Sequence, residues 1–130
     1  MSIVYLNGKF LPVQDAMISP NDRGFLFADG VYEVIAAYEN TLFRPDLHWQ
    51  RLHRNLKELS IDCSELDDWN SLALELLKRN QLETAKYAMV YIQVTRGVQY
   101  PRAHKFPPDD NVTPTVYAFA QELNSNNNNL

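Results

Sequence analysis

Ile3, Val4, Tyr5 and Leu6 form an apolar run that stops at Asn7-Gly8 and resumes with Lys9-Phe10-Leu11. Asn-Gly tolerates the positive φ angles of a type I′ turn, so the pattern predicts an opening β-hairpin. Ser19-Pro20-Asn21-Asp22-Arg23-Gly24 is dense in turn formers and predicts an irregular loop ahead of the apolar patch Phe25, Leu26 and Phe27. Val31 to Tyr38 is rich in β-branched and aromatic residues, and Asn40 separates it from Leu42 and Phe43, the pattern of a second hairpin. The period then changes. Asp46 follows Pro45 where an N-cap belongs, and Trp49, Leu52, Leu56 and Leu59 recur at spacings of three and four, on one helical face. A second helix is marked by Leu66, Trp69, Leu72, Ala73, Leu76 and Leu77; Lys78, Arg79 and Asn80 lie near its end, where cations and a left-handed cap are favoured. Tyr87 to Thr95 and Thr115 to Ala120 read as strands bracketing a loop with Gly97, Pro101, Pro107 and Pro108. Hairpins and helices segregated in this way predict an α+β layer structure, an antiparallel sheet with two helices, rather than alternating parallel units.

Composition narrows the classes of partner. The chain has 130 residues, 45% of them hydrophobic, enough for one core and one domain. A net charge of -4 offers no basic excess for nucleic acid or an anionic membrane. Cys63 is the single cysteine, which fits a reducing, cytoplasmic setting. Residues 1–10 show no basic start before a long apolar run, and no stretch approaches the roughly 20 apolar residues of a membrane span. The asparagine-rich tail from Asn124 to Asn129 is too polar to bury and reads as a linker. No GxGxxG or GxxxxGKS loop is present. His48 and His53, five apart and without a cysteine pair, read as surface or capping histidines rather than zinc ligands. Asp29 and Glu33 read as solvated or hydrogen-bonded strand-edge carboxylates ahead of a catalytic pair.

Three segments carry a resemblance. Asp22-Arg23-Gly24-Phe25-Leu26-Phe27-Ala28-Asp29-Gly30-Val31-Tyr32-Glu33-Val34 resembles the DRGxxFGDGVYEV signature of class IV, fold-type IV aminotransferases, with Ala28 where the pattern has glycine. His48-Trp49-Gln50-Arg51-Leu52 resembles the family's HxxRL segment, and Val94-Thr95-Arg96-Gly97 followed by Pro101-Arg102-Ala103-His104 supplies the third match. The order is the family's, over nearly the whole chain. The resemblance implies the small amino-terminal domain at 1–122 and a polar interdomain linker or tail at 123–130.

The family comprises D-amino-acid aminotransferases, branched-chain aminotransferases and aminodeoxychorismate lyases, all dependent on pyridoxal 5'-phosphate. The Arg102/His104 pair is similar to that of the D-amino-acid members, in which such residues, with a tyrosine after Asp-Gly, hold the substrate carboxylate. The resemblance therefore implies substrate binding by Tyr32, Arg102 and His104 and binding of the cofactor phosphate by Arg51. A guanidinium suits both tasks because it forks onto carboxylate or phosphate. Arg96 is expected to brace the loop, and Tyr91 is a further candidate for lining the pocket. The implied reaction exchanges an amino group between D-alanine or a similar D-amino acid and 2-oxoglutarate, giving pyruvate and D-glutamate. Alternatives are a branched-chain aminotransferase, an aminodeoxychorismate lyase, or a non-catalytic binding or oligomerisation module. The family's loop reaches into the neighbouring subunit, so a homodimer is expected. Lys9, Lys57, Lys78, Lys86 and Lys105 lie in no segment resembling the family's cofactor-bearing lysine motif, which belongs to the larger domain along with most of the cofactor contacts. This chain alone is expected to be inactive.

Overall fold

A computed structural model of the chain describes residues 2–64, 66–107 and 112–123. The opening hairpin forms as expected: β1 (Ile3–Leu6) and β2 (Lys9–Pro12) pair antiparallel through a turn in which Asn7 and Gly8 have φ of 49° and 93°. The second hairpin joins β3 (Gly30–Tyr38) to the short β4 (Thr41–Leu42), with Glu39 and Asn40 at positive φ. β5 (Ala88–Thr95) and β6 (Thr115–Glu122) complete a six-stranded antiparallel sheet in the order β2-β1-β6-β5-β3-β4.

Among the described residues three α-helices are present rather than two. The turn-rich segment does not stay irregular: α1 (Arg23–Phe27) begins inside it, because the Asp22 side chain caps the Gly24 N–H at 2.8 Å. The other two match the apolar periodicity, with different ends. α2 (Pro45–Glu58) has Pro45 in its first turn and left-handed Arg44 at the cap position, so Asp46 lies within the first turn instead of capping it. Proline suits that place because it lacks the N–H a helix start leaves unpaired. α3 (Trp69–Arg79) starts at an Asp68 cap that accepts from Ser71 N, which leaves Leu66 outside the helix. The left-handed residue after α3 is Gln81, at φ 58°, rather than Asn80. The asparagine-rich tail and Pro108 lie outside the described residues.

One sheet face is covered by α2 and α3. Ile35, Ala37, Val90, Ile92, Val94 and Ala118 point into this layer and meet Leu52, Leu56, Trp69, Leu72, Leu76 and Leu77. Full burial of such a side chain contributes about 2 kcal/mol, so this seam is the main source of stability. Alternation along β3 sends Tyr32, Val34 and Tyr38 to the opposite, exposed face. There Tyr32 stacks on Tyr91 at 5.6 Å and Tyr91 on Phe119 at 5.1 Å. Burial pushes the Tyr91 and Tyr117 phenols above their ordinary value. Among the described residues no helix is long and apolar enough to cross a membrane.

α1 ends at Ala28, whose φ of 54° and ψ of 33° are left-handed. A Cβ is disfavoured there, and the signature's glycine has none. Ala28→Gly is expected to raise stability by about 1 kcal/mol in urea unfolding. A lower midpoint in the variant would contradict the strain argument.

Candidate functional site

Glu33 occupies an inward position of β3, among core residues, and is 3% exposed. A carboxylate there needs partners, and α2 supplies them. Arg51 donates from Nε to Oε1 at 2.6 Å and from Nη2 to Oε2 at 2.8 Å, while His48 Nδ1 lies 2.8 Å from Oε2. Residues three apart share a helix face, which is why both reach one carboxylate. Burial alone raises the Glu33 carboxyl, but hydrogen bonds from Arg51 and His48, with their charges, outweigh it and hold the group below the ordinary carboxylate value. Arg51's side chain is 54% exposed, and its Nη1 edge has no partner among the described residues. That edge fits an oxyanion such as a phosphate, presented in a fixed orientation.

A second cluster is centred on Asp29, at the foot of β3. Its Oδ2 accepts from Arg23 Nε at 2.8 Å and Arg96 Nε at 2.7 Å, and its Oδ1 from Arg96 Nη2 at 3.3 Å. Both arginines are buried. Desolvation raises the Asp29 carboxyl, yet the hydrogen bonds and charges of Arg96 and Arg23 bring it below its usual value. Arg96 also donates to Leu59 O at 2.6 Å and Ser60 O at 3.3 Å, immediately after α2. Arg23 turns the other way, donating to Gln99 Oε1 at 2.6 Å, Ala103 O at 2.7 Å and His104 O at 3.3 Å.

The loop after β5 is built onto α1. Arg23 N donates to Gly97 O, and Gln99 N to Asn21 O. Gly97 has φ of 105°, and a Cβ there would lie 2.0 Å from Thr113 O, so glycine is required. A Cβ on Gly30 would sit 2.6 Å from Val94 O, which accounts for the glycine beside Asp29. Further along, the Arg102 guanidinium lies 4.6 Å from the Phe27 ring centre, and the His104 ring 5.1 Å from it.

The structure thus places Arg102 and His104 each against the Phe27 ring, and brings Arg51 together with Glu33 and His48. It leaves Tyr32 apart on the open sheet face, with no hydrogen bond or ring contact to Arg102 or His104 among the described residues. Asp29 and Glu33 do not form a carboxylate pair, since each is held by its own cations. Arg96 braces the end of α2 as well as Asp29, a wider role than the loop support expected of it. Tyr91 lies beside Tyr32. Among the described residues there is no group of three or more metal-ligating side chains. Sequence reasoning missed Glu33 as the partner of Arg51 and Asp29 as the hub of two arginines. A carboxylate at an inward strand position was the available signal.

The amino-transferase class IV family pattern matches residues 30–129. D-alanine aminotransferase of Staphylococcus haemolyticus is 38% identical over 122 residues, 93% of this chain and 42% of that protein. The protein of the same description from Listeria monocytogenes is 33% identical over 124 residues, 95% of this chain and again 42% of the relative. The branched-chain amino acid aminotransferase of Escherichia coli matches in structure with a TM-score of 0.79 at 19% identity, covering 96% of this chain and 41% of that one. The chain belongs to the class IV aminotransferase family, with the fold of that family's amino-terminal part, and it spans about two fifths of the length of these relatives.

Proposed function

We propose that this chain is the amino-terminal domain, residues 1–122 with a linker at 123–130, of a cytoplasmic D-amino-acid transaminase acting on D-alanine and 2-oxoglutarate. The observation that carries the reading is the pairing of Arg102 and His104 on Phe27, at 4.6 and 5.1 Å, on a loop anchored to the body of the domain. An arginine and a histidine on the same short loop segment can bind one carboxylate through charge-assisted hydrogen bonds. The similarity to D-alanine aminotransferases supports that choice of substrate.

Pyridoxal 5'-phosphate supplies the electron sink that amino-group transfer needs. Arg51 would hold its phosphate through the edge that Glu33 leaves available, with Glu33 and His48 fixing the guanidinium. The Tyr32 hydroxyl, exposed on the sheet face, would donate to the substrate carboxylate. Since Tyr32 makes no hydrogen bond or ring contact with Arg102 or His104 among the described residues, the loop of one copy would serve the pocket of its neighbour, in a homodimer. The lysine that holds the cofactor would lie in the remaining length of the protein, and the 130-residue chain alone would not transaminate.

In the full-length enzyme, Arg102→Ala is expected to lower kcat/KM for D-alanine by about ten- to a hundredfold, the worth of one or two hydrogen bonds to a charged group. Steady-state assays with D-alanine and 2-oxoglutarate test this; an unchanged value would show that the loop does not bind the carboxylate.

A further inference from the structure

We propose that Arg23 is a positioning residue: it sets the aim of Arg102 and His104 by gripping the backbone of their loop, with Asp29 as its fixed point. The inference rests on the carboxylate role proposed above for that loop. Among the described residues the Arg102 and His104 side chains have no hydrogen bond to the domain, and their ring contacts are with Phe27. Ring contacts alone leave an exposed arginine several rotamers. Their backbone is a different matter. Arg23 is 2% exposed and is held through Nε by Asp29. Its two Nη groups reach Gln99 Oε1, Ala103 O and His104 O, so one rigid planar group spans both sides of Arg102. Phe106 closes the far end, its ring centre 5.4 Å from the Arg23 guanidinium and 4.4 Å from that of Arg96.

Asp29 extends the effect. Through Arg96 the same carboxylate is tied to the carbonyls of Leu59 and Ser60, directly beyond the helix that carries Arg51. One buried acid thus sets the loop of the carboxylate pair and the end of the phosphate-binding helix against a common reference. Lysine in place of Arg23 keeps a cation for Asp29 but, with a single nitrogen, cannot also span Gln99, Ala103 and His104.

The loop contains two trypsin sites, Arg102 and Lys105, and Arg54 and Arg79 in α2 and α3 report on general opening. In the 130-residue chain, Arg23→Lys should speed cleavage after Arg102 and Lys105 by about tenfold or more, with cleavage after Arg54 and Arg79 unchanged. Equal rates at all sites in the variant and the parent would overturn the proposal. Should Arg23→Lys loosen the helices as well, Phe106→Ala decides: Phe106 is 61% exposed, so its truncation spares the core. Phe106 belongs to the bond cut after Lys105, so the Arg102 site is the one read: faster cleavage there alone in Phe106→Ala upholds the clamp, and no change there removes it.

In the full-length enzyme, Arg23→Lys should raise KM for D-alanine by about tenfold with kcat within about twofold, the mark of a misdirected binding group. If Arg102→Ala raises KM and Arg23→Lys does not, the clamp alone fails. If Arg102→Ala has no effect, the carboxylate reading itself has failed.

Discussion

Asp29→Ala is expected to cost about 3–5 kcal/mol, because it leaves the buried guanidinia of Arg23 and Arg96 without their counterion. The cost comes less from the attraction lost than from two desolvated cations left facing each other. Asp29→Asn keeps the shape and some of the hydrogen bonds, so it should fall between the parent and alanine. Urea unfolding of the chain at neutral pH, followed by circular dichroism, measures both; a loss under about 1 kcal/mol for alanine would mean that water reaches the arginines. The acid dependence has a definite sign. The native Asp29 carboxyl lies below its ordinary value, so in the acid range the unfolded chain binds more protons than the folded one and stability rises with pH. Its contribution is complete above the unfolded value of about 4 and is lost as pH falls through the lower native value. The gap between parent and Asp29→Asn should therefore close on acidification, and Glu33 adds a change of the same sign in both proteins.

Trp69→Ala should cost a comparable amount, about 3–5 kcal/mol, by opening a cavity between α3 and the sheet. Trp69 is 2% exposed and stacks with Trp49 at 6.4 Å. Its indole nitrogen is buried with no hydrogen-bond partner among the described residues. That points to a smaller loss for phenylalanine, about 1 kcal/mol, since the lost volume is partly offset by removing an unsatisfied donor. Urea midpoints of the two variants settle the matter, and a phenylalanine variant as unstable as the alanine one would show that the N–H is satisfied after all.

The sheet and the two long helices were legible because each depends on a local period. Residues 31–38 alternate, and Leu52 and Leu56 recur at helical spacing, so burial on one side is written into the pattern. α1 was not legible: Gly24 within it and Pro20 and Asn21 before it favour turns, and the capping Asp22 and the loop packed on it hold the helix. Ends were also misplaced where neighbours compete, as at Arg44, Pro45 and Asp46. Family resemblance singled out Arg51, Arg102, His104 and Tyr32, but the carboxylates that orient the arginines could not be read from spacing. Glu33 lies 18 positions from Arg51, and Asp29 lies 67 from Arg96, distances over which only the folded sheet creates a contact.

Trp49 and Trp69 are the chain's two tryptophans, and they stand together at the seam of α2 and α3. Indole emission from this molecule therefore reports how the helices pack and is nearly blind to the loop at Arg102. The opposite side of the sheet speaks through tyrosine, where Tyr32, Tyr91 and Tyr117 are gathered. The indoles thus follow the core between the helices and the sheet, and the phenols of Tyr32, Tyr91 and Tyr117 add near-ultraviolet signals from the other face, whereas Tyr5 packs against the core and Tyr100 lies exposed in the loop.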